Sequence, residues 1–95
     1  MFVVTLKFSA NTARASALME GHNAWIKQGF DDGVFLLAGS LLPRAGGAVL
    51  AHNTTRTDLE MRLQQDPFVA EGVVSAEIFE IAPGRTDDRL AFLRG

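Results

Sequence analysis

The residue in this chain best placed to do chemistry is a histidine on the apolar side of a helix. Read at about 100° per residue from Arg14 to Gly29, the residues Arg14, Leu18, His22, Trp25 and Gly29 fall on one stripe, with Ile26 beside them. Glu20, Asn23 and Lys27 fall on the opposite side. His22 and the only tryptophan therefore share the face that should be buried. A buried imidazole needs a partner for each ring nitrogen or an open cavity beside it. With one nitrogen held and the other open, it can take and return a proton near neutral pH. The same placement also describes a core histidine satisfied entirely from within.

Other chemistries find little support. Cysteine is absent, which excludes disulfides and thiolate nucleophiles, and zinc would have to use His and carboxylates alone. No base is evident to activate Ser40, and no Gly-rich phosphate loop is present. Arg14 and Arg56 can receive an anion or simply be solvated, and His52 falls at a strand end. Asp31 and Asp32 precede Gly33 in a turn, which accounts for them without a cation. No metal site and no cofactor is expected.

Ninety-five residues, 47% apolar and 21% charged, make one domain with enough material for a core. A chain this short buries only about two-thirds of its unfolded surface, so a second subunit would help. Net charge is −2 and the nine Lys and Arg are scattered, which argues against nucleic acid. Met1-Phe2-Val3-Val4 opens in strand-like residues with no signal-peptide pattern, and no apolar run approaches the ~20 residues of a membrane span. A cytoplasmic protein is expected.

The elements that must position His22 follow from pattern. Phe2 to Phe8 alternates as a strand. Asn11 or Thr12 can cap the helix, which runs to about Phe30 and ends at Asp31-Asp32-Gly33. Val34 to Leu42 is a second strand. Phe35, Leu37, Gly39 and Leu41 lie on one side and Val34, Leu36, Ala38, Ser40 and Leu42 on the other. Both sides are apolar, so both must be covered. After a turn at residues 43–47, Ala48 to His52 completes a hairpin. Thr57 and Glu60 fit a capping box for a second helix to about Gln65. Pro67 breaks it at Asp66 and restarts a short turn that Gly72 closes. Val73 to Ile81 is the last strand. Pro83-Gly84-Arg85 ends the compact part, leaving a tail with Leu90, Phe92 and Leu93.

The order β-α-β-β-α-β predicts an α+β, ferredoxin-like sandwich: an antiparallel sheet with two helices on one face. A homodimer packed through the uncovered sheet faces would meet the two-sided demand of Val34 to Leu42. The expected division is a domain over residues 1–82 and a tail over 83–95 that packs on the domain or on the partner subunit.

At this length and order, Gly21-His22-Asn23-Ala24-Trp25, Gly33 to Gly39, and Asp66-Pro67-Phe68 running on to Gly72-Val73 resemble the YciI-like (YCII-related) family. The resemblance implies a dimeric α+β barrel, in the group that also holds muconolactone isomerases and small cofactor-free monooxygenases. It implies a His–Asp active-site pair, here His22 and Asp66. Many relatives carry an arginine one turn before the histidine, where this chain has Met19, and proline where it has Ser40.

A carboxylate on one ring nitrogen fixes the tautomer and raises the basicity of the other. That pair would suit isomerisation, elimination or lyase chemistry on a small apolar or aromatic metabolite. Candidate substrate contacts are Trp25, Ser40, Arg14 and Phe68. The competing reading is a non-catalytic module that binds a small molecule, or mediates assembly, with the same cleft.

Overall fold

The computed structural model describes residues 1–94; Gly95, the last residue of the expected tail, lies outside the described residues. Strand β1, Phe2–Phe8, buries Phe2, Val4 and Leu6 and leaves Val3 and Thr5 half-buried, the period of two expected of a strand between unlike surroundings. A 3-10 turn at Thr12–Arg14 leads into helix α1, Ala15–Asp31. The β2–β3 hairpin pairs Phe35–Leu41 with Gly46–Ala51. Helices α2, Arg56–Gln64, and α3, Pro67–Ala70, precede β4, Val74–Glu80. A second 3-10 segment, Asp88–Arg94, lies in the tail.

The sheet order is β2-β3-β1-β4, with every neighbouring pair antiparallel. This is the split βαβ arrangement. Registers Val4↔Val49 and Val4↔Ile78 place alternate residues of three strands on one face. There they form one core with Trp25 of α1, Leu59 and Leu63 of α2, and Phe68 of α3. No helix among the described residues is long and apolar enough to cross a membrane.

Several local expectations are corrected. The simple alternation along β2 is broken by a register shift between Phe35 and Leu37. One extra residue in a strand reverses the parity of everything beyond it. Phe35, opposite Ala51, thus shares the helix-covered face with Ala38, opposite Val49, whereas Leu37, opposite Leu50, lies on the other face. Neither Asn11 nor Thr12 caps α1. Thr12 turns its hydroxyl back to the Ser9 carbonyl, and Asn11 donates its amide to the Glu71 carbonyl, tying the two loops together. The cap of α2 is Thr55 rather than Thr57: its hydroxyl accepts from Asp58 N at 3.1 Å. The hairpin turn is shorter than expected, because Gly46 already belongs to β3. Its φ of 127° and the Leu6 carbonyl close against it leave no room for a side chain.

The other sheet face carries Val3, Thr5, Leu50 and Leu37, with Leu37 52%, Phe79 46% and Ile81 45% exposed. In the tail, Phe92 sets its ring edge-on to His52 at 5.6 Å between centroids, while Leu90 and Phe92 remain largely exposed and Leu93 half-buried.

Candidate active site

Asp66 owes its position to Pro67. Proline does not continue α2, since it has no N–H and disfavours the α region for the residue before it. Asp66 therefore takes an extended conformation (φ −72°, ψ 120°) and becomes the N-cap of α3, with Pro67 in the first helical turn. Its Oδ1 accepts the Phe68 backbone N–H at 3.0 Å. The side chain is fully buried, so the chain break has turned a carboxylate inward.

His22 reaches that carboxylate because α1 and α3 approach closely at Gly21, where an added Cβ would stand 3.1 Å from Pro67 Cγ. Nδ1 of His22 lies 2.8 Å from Asp66 Oδ1, so one oxygen serves both the ring and the Phe68 amide. The His22 ring also lies flat on Phe68, with centroids 3.9 Å apart and planes 3° from parallel. An Asp-Pro-Phe tripeptide thus holds the imidazole in two ways, by hydrogen bond and by stacking. With the carboxylate ionised, Nδ1 carries the shared hydrogen and Nε2 presents a lone pair. The His22 side chain keeps 12% exposure while Asp66 has none.

The exposed edge of His22 belongs to the wall of a cleft of about 450 Å³ between α1 and the sheet. Its floor is made of small residues: Ala38, Gly39 and Ser40 of β2, and Gly46, Gly47 and Ala48 of β3. Met19, Asn23, Ile26 and Phe30 line the α1 side, and Leu6, Phe8, Phe68 and Val74 close the rest. Among the described residues, no group of three or more His, Cys, Asp or Glu is arranged to hold a metal ion.

Of the candidate contacts, the cleft contains Ser40 and Phe68 and not Trp25 or Arg14. Trp25 is buried one turn along from His22. Its Nε1 donates to the Arg62 carbonyl at 2.8 Å and its ring meets Phe35 edge-on. Arg14 pairs with Glu71 at 2.6 Å on the surface. Asn23, placed by the helix pattern on the solvent side, instead lines the cleft. The signal that could have found it is a second stripe, Met19-Asn23-Ile26-Phe30, displaced by about a quarter turn from the buried one.

A family model described as the YCII-related domain matches residues 1–82. No curated protein matches the sequence. Among solved structures, the chain is similar to the 5-chloro-2-hydroxyhydroquinone dehydrochlorinase (TftG) from Burkholderia phenoliruptrix AC1100, in complex with 2,5-dihydroxybenzoquinone. That likeness has a TM-score of 0.71 and 11% sequence identity, and covers 88% of this chain and 96% of that one. At such identity the likeness is one of fold. The match over residues 1–82 of 95 decides the family: the chain belongs to the YCII-related domain family.

Proposed function

We propose that this protein is an enzyme that moves a proton on a small apolar or aromatic metabolite, with His22 as the acid–base group and Asp66 as its orienting carboxylate. The observation that carries this reading is the 2.8 Å contact between His22 Nδ1 and a fully buried Asp66, beside an open cleft. In this reading Nε2 removes a proton from a hydroxyl or an activated C–H of the bound molecule, and Asp66 stabilises the imidazolium that forms. In an isomerisation the proton returns to a different atom. In an elimination the leaving group departs with the bonding electron pair and the proton is passed to solvent. The fold's occurrence in a dehydrochlorinase that binds a dihydroxybenzoquinone supports the elimination class. Phe68 and Ser40 are the proposed substrate contacts.

The test is a panel of hydroxylated and chlorinated ring compounds, followed by NMR for solvent-deuterium exchange and by chloride release. His22→Ala is expected to lower turnover by about 10²–10⁴-fold, the usual range for a general acid–base group, without unfolding the protein. Asp66→Asn should keep the cap on Phe68 and lose most of the rate. Full activity in His22→Ala would end the proposal, and binding without any turnover would leave the non-catalytic reading.

We propose further that two chains pair through their outer sheet faces, supported by the exposed Leu37, Phe79 and Ile81. Leu37→Asp should then convert a dimer, measured by light scattering, into monomer. A wild-type monomer at micromolar concentration would contradict it. In the same reading the Leu90 to Leu93 tail packs against the partner or the sheet edge.

A further inference from the structure

We infer that the cleft beside His22 selects uncharged ring compounds over their carboxylate or phosphate counterparts, and that Met19 is the residue that sets this preference. The inference rests on the proposed function only in taking the cleft as the place where substrate binds.

The first support is the chemistry of the walls. Three polar side chains line the cleft, those of His22, Asn23 and Ser40, and no Lys, Arg, Asp or Glu does so among the described residues. Aromatic and aliphatic groups make up most of the remainder, notably Phe8, Phe30, Phe68 and Ile26. An anion entering such a cleft gives up hydration and meets no opposite charge, whereas a neutral hydroxyl or amide can exchange its water for Asn23 and Ser40. Neither of those two side chains is held by another protein group among the described residues.

The second support is the Asp66 carboxyl behind His22. The ring Nδ1 is 2.8 Å from Asp66, so an imidazolium there would be matched by a carboxylate immediately behind it. With the carboxylate ionised, a ligand anion would meet a pair that is neutral when the ring is protonated and negative when it is not, and in neither state a net positive field.

The third is that Arg14, Lys27 and Arg62, the cations on or beside α1, are engaged elsewhere. Arg14 is bound to Glu71 at 2.6 Å, Lys27 to Asp31 at 2.7 Å, and Arg62 to Asp32 at 3.0 Å. Lys7 lies on the opposite sheet face from Leu6, by its register with Gly46 and Ser75. Met19, one turn before His22 and 42% exposed, is where a long cationic side chain would reach into the cleft; a thioether stands there instead.

The test compares 4-hydroxybenzamide with 4-hydroxybenzoate at pH 7, two rings of matching shape that differ in charge. Binding is followed by two-dimensional NMR of the full-length protein, through the Gly39 and Gly47 amides. Wild type should bind the amide at least about tenfold more tightly, the discrimination that even a modest desolvation difference produces. Met19→Leu should keep that ratio, and Met19→Arg should cancel or reverse it. Asn23→Arg, on the same wall, repeats the experiment if Met19→Arg does not fold. Equal or tighter carboxylate binding by wild type, a ratio unmoved by the arginine variants, or no binding of either probe would each overturn the inference. His22→Gln separates the two readings. A ratio that persists there while proton exchange is lost supports charge selection, whereas turnover by wild type with no charge preference sinks the inference and spares the acid–base proposal.

Discussion

The two flanks of α1 meet the same sheet with opposite results. On the Leu18–Trp25–Gly29 flank, the Trp25 indole meets Phe35 edge-on at 5.1 Å and Gly29 lies so close to the Phe35 ring that a methyl would collide with it. Arg62 ties α2 to this flank twice, through its carbonyl to Trp25 and through its guanidinium to Asp32. On the Met19–Asn23–Ile26–Phe30 flank, β2 and β3 offer small residues such as Ala38, Ser40 and Gly47, and the space stays open. His22 stands between the two stripes, held from the packed side and exposed to the open one. The cleft is made by what the strands omit. Phe35 and Ala38 are three residues apart on the same covered face of β2, and the difference in their side-chain volume separates core from cavity.

The largest effect should come from destroying the packed flank. Phe35→Ala should cost about 3–5 kcal/mol in denaturant unfolding, the range for truncating a buried aromatic. A loss below about 1 kcal/mol would mean that this flank is no better packed than the other.

A matched pair of insertions sharpens the contrast. Gly29→Ala adds one methyl on the packed flank and should destabilise by about 1–3 kcal/mol through overpacking against Phe35. Ala38→Phe adds a whole ring on the open flank and should shift stability by less than about 1 kcal/mol, because the ring enters existing space. It should abolish ligand binding by NMR while His22 and Asp66 stay in place. Similar stability losses from both would erase the distinction between the flanks.

The smallest effect concerns pH. The Gln28 amide at 2.7 Å, and then the Arg62 guanidinium, hold the Asp32 carboxyl below its ordinary value of 3.8. A carboxyl lowered by folding contributes stability above its unfolded pKa and loses it as pH falls through the folded one. Asp32→Asn should therefore lower the melting temperature slightly at pH 7 and converge with wild type below about pH 4, so that its acid fall is flatter. A steeper acid fall in the variant would have the wrong sign.

Much of this was legible from local chemistry. The strands followed from a period of two, α1 from its apolar stripe, and the break before α3 from the inability of Pro67 to extend a helix. Those signals are written into neighbouring residues, because backbone sterics and hydrogen bonding act over a few positions. The inward turn of His22 belongs to the same class. The bulge after Phe35 does not, since a one-residue slip is decided by pairing with β3 rather than by β2 itself. Nor could one helix reveal that Asn23 faces a cavity while Trp25 seals a core, because periodicity reports which side is apolar and says nothing about how large the opposing residues are. The order of elements, the chain break that buries Asp66 and the apolar face that carries His22 are all written in short stretches of residues. Which flank of that helix stays open was settled by packing, because an empty volume is a property of two surfaces brought together and is encoded in neither alone.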